Sequence, residues 1–168
     1  MFTPTPPTTK LCALPILRCT GAGTLDAILV CHSYTGVLTH WIGEETTLHT
    51  QSGPCAGCDA NQAPRWQGFV IVQSTQSGTH RLLQFTPPVA KTLDGYQRKQ
   101  YGLSGLTVRL TRAGRERNSP LCAEITDRVQ LTPHFSVEQL EEAVSRLFRS
   151  NFPLFDALKK SIGCLPVD

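Results

Sequence analysis

Residues 66–85 read WQGFVIVQSTQSGTHRLLQF, and this stretch decides the fold. Trp66 to Gln73 is β-branched and apolar, Ser74 to Thr79 has turn composition, and His80 to Phe85 is apolar again. Two strand-like runs joined by a short polar segment predict an antiparallel hairpin. Gly68 falls inside the first run, where a strand bulges or coils sharply.

Working outward, the same texture recurs. Upstream, Thr24 to His32 (TLDAILVCH) is a second β segment, and Ser33-Tyr34-Thr35-Gly36 reads as a hairpin turn into Val37 to Ile42. Downstream the period changes. After Thr86-Pro87-Pro88, the residues Val89, Ala90, Leu93 and Tyr96 repeat at helical spacing, with Thr86 as cap and proline in the first turn. Strands resume at Leu106 to Thr111 and Leu121 to Thr126, separated by the turn residues 113–120. Ser136 with Gln139 forms a capping box ahead of an apolar stripe (Val137, Leu140, Ala143, Val144, Leu147, Phe148), which predicts a helix to about Ser150 that covers a sheet face or barrel mouth. A shorter helix or turn is expected over Leu154 to Ser161. Strands, a helix, then a closing pair of strands is the order of an OB-type barrel. The expected fold is mainly β (α+β): a small OB-like β-barrel of five to six strands with a zinc-knuckle insertion and a C-terminal helical tail. A split barrel fits the same order. In domain terms, residues 1–20 are a flexible, proline-stiffened leader with an edge strand, 21–130 the barrel with its zinc loop at 40–66, and 131–168 the helical extension.

The loop between the first strands and the central hairpin carries the chemistry. From His40 it runs HWIGEETTLHTQSGPCAGC to Cys58. His40, His49, Cys55 and Cys58 are four borderline or soft ligands on a short segment, enough to hold one tetrahedral Zn²⁺, with Gly53, Pro54 and Gly57 supplying the turn between thiolates. A site closed by four protein ligands is structural, because it leaves no position for a reacting water. His40 lies in a strand and could face either side; His32, beside Cys31, is the reserve ligand. A redox role for the Cys-x-x-Cys pair would want a strand-to-helix setting, and a polar Gly/Pro-rich loop surrounds it instead.

Seven cysteines is an odd number. The chain opens MFTPTPPTTK, without the basic-then-apolar layout of a secretory signal. Cys12, Cys19, Cys31, Cys122 and Cys164 are therefore expected to be reduced, buried small residues of a cytoplasmic protein. No apolar run approaches the roughly 20 residues that span a bilayer, so no membrane partner is expected.

Net charge is +3 but unevenly spread: residues 65–128 carry ten Lys or Arg against four acids. Segregated positive charge implies an anionic partner. Aromatic residues interleave with the cations, giving the set Trp41, Arg65, Trp66, Phe69, Arg81, Arg98, Lys99, Tyr101, Arg109, Arg112, Arg115 and Arg117. Flat rings stack on unpaired bases at roughly 1–3 kcal/mol each while cations track phosphates. Trp66 beside Arg65 is the first choice for stacking, and Arg109, Arg112, Arg115 and Arg117 for the phosphate clamp. Either tryptophan could equally be a core anchor.

On His40/His49 followed by Cys55-Ala56-Gly57-Cys58, and on Arg65-Trp66-Gln67-Gly68-Phe69, residues 25–126 resemble the zinc-bearing OB-fold single-stranded-DNA-binding proteins of phages, the helix-destabilising proteins. The resemblance implies non-catalytic binding of single-stranded nucleic acid, DNA favoured over RNA, with structural zinc and protein partners from replication or repair. That family uses one histidine and three cysteines at wider spacing, so its ligand set does not transfer. The acidic tail many such proteins use to recruit partners has no counterpart in the final SIGCLPVD. Two other classes fit parts of the sequence. One is a zinc-stapled module that binds protein in a nucleic-acid-processing assembly. The other is a zinc nucleobase deaminase, suggested by Pro54-Cys55-Ala56-Gly57-Cys58 but lacking the H-x-E half of its signature.

Overall fold

The computed structural model describes residues 14–148 other than 44, 51–52, 100–101, 115, 117–118 and 132–134, and of Lys99 the backbone alone. The expected leader before residue 14 and the helix over Leu154 to Ser161 lie outside the described residues.

Eight strands make one mixed, open sheet: β1 (Ile16–Leu17), β2 (Thr24–Leu29), β3 (Thr35–Ile42), β4 (Glu45–Leu48), β5 (Arg65–Ser74), β6 (His80–Phe85), β7 (Leu106–Arg112) and β8 (Leu121–Arg128). Three helices complete the order among the described residues: α1 (Ala56–Asp59), α2 (Pro87–Lys99) and α3 (Val137–Leu147). The main path is β1-β6-β5-β2-β7-β8, with only the β1–β6 pair parallel among the described residues; β3 pairs with β5 and with β4.

β5 is the longest strand, and it organises the rest. On one flank β6 pairs from Gly68↔Phe85 to Gln73↔His80, so the central hairpin stands as its composition predicts. The other flank is shared: β3 takes Arg65 to Phe69 and β2 takes Val72 to Ser74. The chain therefore passes from β2 to β3 without reversing, and the Val30 N–H still donates to Ile71 O at 3.1 Å. The hairpin turn expected at 33–36 is corrected on this point: β2 and β3 both pair with β5 and not with each other. The closed barrel is corrected with it. Among the described residues the path ends at β1 and β8, which do not pair, so the sheet stays open.

The core explains the sequence texture. Phe69, Val70, Ile71 and Val72 are all buried, because successive side chains of β5 enter opposite faces and both faces are covered. α2 packs against β5, with Val89 and Leu93 buried, and α3 also packs on β5 through its buried Leu140 and Val144. Phe148, just past α3, meets Phe69 edge to face at 6.0 Å. Each such side chain contributes roughly 1.5–3 kcal/mol by leaving water. The α3 capping box is present, with Ser136 Oγ accepting from the Gln139 N–H and Gln139 Oε1 accepting from the Ser136 N–H. α3 covers a sheet face, as its apolar stripe predicts.

Gly68 does not mark a bulge. It sits in register opposite Gly36, and the two glycines make room for rings. A Cβ at Gly36 would lie 2.4 Å from the Trp66 indole, and one at Gly68 would lie 2.3 Å from Phe85. Trp66, Phe85 and Tyr34 form an edge-to-face trio over this bare backbone. No helix among the described residues is long and apolar enough to cross a membrane.

Candidate metal centre and the adjoining cleft

β4, a strand too short and polar to announce itself in the sequence, aligns the histidines. His40 pairs with Thr47 across the β3–β4 ladder, and the His49 N–H extends the ladder by donating to Leu38 O at 2.9 Å. Leu38, His40, Thr47 and His49 consequently share one face, and the two imidazoles meet diagonally, His40 Nε2 to His49 Nδ1 at 2.8 Å.

The cysteines arrive on α1, a single helical turn. Cys55 is its N-cap and Cys58 lies within it. The turn closes with Asn61 at φ 54, the Asn61 N–H donating to Cys58 O and the Gln62 N–H to Gly57 O. This is the Schellman pattern, in which a left-handed residue satisfies carbonyls at a helix end. Gly57 is buried against the His40 ring, where a Cβ would fall 2.0 Å from Cγ. Its role is to let the knuckle close onto the histidine.

The four ligand atoms lie within 4.8 Å of one another. Cys55 Sγ is 3.4 Å from His40 Nε2 and 3.6 Å from His49 Nδ1; Cys58 Sγ is 3.7 and 3.6 Å from the same atoms. A tetrahedron with metal–nitrogen about 2.0–2.1 Å and metal–sulfur about 2.3 Å requires nitrogen–sulfur edges of about 3.5 Å. All four match it to within about 0.2 Å. The imidazole pair is closer than its corresponding edge of about 3.4 Å, so one ring would yield by a few tenths on binding. His40 and Cys55 are buried, His49 partly so, and Cys58 exposed. Backbone N–H groups of Thr50 and Cys58 hold the Cys55 thiol down to about 6, and the neighbouring Cys55 sulfur raises that of Cys58. His40 Nδ1 is buried without a hydrogen bond, so the second-nitrogen partner that usually orients a ligating histidine is absent among the described residues. His32, the reserve ligand, is exposed and stands outside the cluster.

Beside this cluster a cleft of about 810 Å³ gathers Arg18, Trp41, Arg65, Trp66, Gln67 and Arg112 around its wall, with His40 also lining it. Trp41, next to His40 in β3, is 40% exposed. Of the residues expected to meet nucleic acid, the structure thus brings together Trp41, Arg65, Trp66 and Arg112. Trp66 is partly buried in the aromatic trio. Arg112 donates to the carbonyls of Cys19 and Ser119, which fixes its guanidinium. Arg109 stands elsewhere, on β7, in a two-point ion pair with Asp26 at 2.9 and 3.2 Å. Arg98 is exposed on α2, and neither it nor Arg81 on β6 lines the cleft. Phe69 is corrected: at 1% exposure and edge to face with Phe148, it is a core residue and offers no open ring face for stacking. Tyr101, Arg115 and Arg117, and the side chain of Lys99, lie outside the described residues. Arg18, Gln67 and Gln84 are cleft residues that sequence reasoning missed; only strand alternation around Gln67 and Gln84 carried a signal.

No protein-family model, curated protein or solved structure matches this chain.

Proposed function

We propose that the chain binds single-stranded nucleic acid, DNA in the first instance, without catalysis, and that His40, His49, Cys55 and Cys58 hold a structural Zn²⁺ that sets the shape of the binding cleft. The observation that carries this reading is the adjacency of the two features: His40 belongs to the four-ligand cluster while Trp41, the next residue, faces the cleft with Arg18 and Arg65. An exposed ring between cations is what stacking on unpaired bases and neutralising their phosphates requires. With all four positions of a tetrahedron filled by side chains, the metal has no vacancy for a reacting water, which favours a structural over a deaminase role.

The test is a titration of labelled oligo-dT followed by anisotropy. Counterion release predicts that affinity falls steeply between about 50 and 200 mM salt. Duplex of the same length should bind more weakly, since its bases cannot reach Trp41. Binding that ignores salt, or none at all, would reject the nucleic-acid reading in favour of a zinc-stapled module that holds protein.

A further inference from the structure

A second trough of about 470 Å³ continues from the Trp41 wall toward the end of α3 and shares Arg18, Gln67 and Gln84 with the cleft. A hydrogen-bonded relay crosses three strands here. Pairing of Leu17 with Leu83 sets Arg18 beside Gln84, and pairing of Phe69 with Gln84 sets Gln67 on the diagonal. Arg18 Nε donates to Gln84 Oε1, and Gln84 Nε2 donates to Gln67 Oε1 at 2.7 Å.

The polarity of this relay is forced. A guanidinium has donors only, so Gln84 must turn its oxygen to Arg18 and its amide nitrogen to Gln67. Gln67 must then receive that bond on oxygen, leaving its own NH₂ outward. What the relay presents to the trough is therefore donors: Nε2 of Gln67 and the two terminal nitrogens of Arg18, none hydrogen-bonded to another described residue. The Thr46 hydroxyl can serve either way and does not alter this polarity.

We propose that this trough is the base-reading subsite of the single-strand cleft, selecting bases with a carbonyl at pyrimidine C4 or purine C6 (thymine or uracil, and guanine) over those with an amine at that position (cytosine and adenine). The inference rests on the nucleic-acid reading above. Thymine O4 and guanine O6 accept hydrogen bonds, whereas cytosine N4 and adenine N6 donate and would set donor against donor. Trp41 supplies the stacking wall. Thymine and cytosine match in ring size, so a difference between them reports hydrogen bonding, not stacking.

Anisotropy titrations with oligo-dT and oligo-dC of about 12 nucleotides, at about 50 mM salt, test this on the wild-type chain and on Gln67→Met. The wild type should favour dT by roughly 5- to 100-fold, and Gln67→Met should bring the ratio below about threefold. Should Gln67→Met fail to fold, Gln84→Met breaks the same relay and carries the same expectation. Equal, salt-sensitive binding of dT and dC by the wild type overturns base reading and leaves single-strand binding standing. Absence of binding to either oligonucleotide overturns both. A dT preference that survives both substitutions removes the relay from recognition.

Discussion

Gly57 shows how much a single position decides. The sequence marks it as a turn residue between two thiolates, yet its backbone φ is unexceptional and its importance is the space it leaves for the His40 ring. Gly57→Ala suits a helical turn intrinsically, so the fold should persist while the knuckle backs away from His40. Zinc affinity should drop by roughly 10–100-fold, a loss of the size seen when groups that orient ligands are changed, and competition with a chromogenic chelator measures it. Replacing Cys55 and Cys58 together by Ser should abolish metal binding; metal analysis finding one zinc per chain in that double variant would refute the ligand assignment. Ligand identity was legible because histidine and cysteine side chains advertise their chemistry by type and spacing. Steric room was not, since a glycine's lack of a Cβ says nothing about which neighbour occupies the gap. Phe69 failed for the related reason that an aromatic on a strand reads the same whether the face above it is open or roofed by a helix.

At the scale of elements, strong apolar patterns were legible and weak polar ones were not. The hairpin of β5 and β6, the helix α2 and the capped α3 followed from period and caps, because burial dictates their residues directly. β4, with the sequence Glu45-Thr46-Thr47-Leu48, is a strand only because β3 offers it an edge, and it carries the alignment of the two histidines. α1 is a four-residue turn within a Gly/Pro-rich loop, held by the left-handed Asn61. A β-branched side chain cannot take that conformation cheaply, so Asn61→Val should cost about 1–2 kcal/mol of the knuckle's local stability. Faster amide exchange confined to 55–62 would be the signature. Leu140→Ala tests the opposite end of the range: it is fully buried where α3 packs on the sheet, and its truncation should cost about 2–5 kcal/mol in urea unfolding.

For the molecule as a whole, the sum of charge misleads where its placement does not. The basic excess of residues 65–128 is real, but Arg109 is matched by Asp26 and Arg112 by backbone carbonyls, and Arg98 does not line the cleft. Sequence distance could not foresee this, because Asp26 and Arg109 meet only when β2 pairs with β7. The Arg109 guanidinium hydrogen-bonds the Asp26 carboxylate and holds it below its ordinary value of 3.8. A carboxyl depressed on folding stabilises above its unfolded value and loses that contribution as pH falls through the folded one. Wild type and Asp26→Asn should therefore differ in melting temperature at pH 7 and converge as the pH drops below about 3.8. The openness of the sheet was hidden for the same topological reason, since pattern gives strands and not their neighbours. Of the cysteines, Cys19 and Cys31 are buried, burial pushing the Cys31 thiol up to about 11, whereas Cys122 is exposed against expectation. The chain has two tryptophans, and the fold has put them in different surroundings, Trp41 exposed over 40% of its surface at the trough and Trp66 half-buried over bare glycine backbone. Its intrinsic emission is accordingly the sum of a long-wavelength, iodide-accessible indole and a shielded one, so a quenching curve can distinguish an occupied surface from a loosened interior with no dye attached.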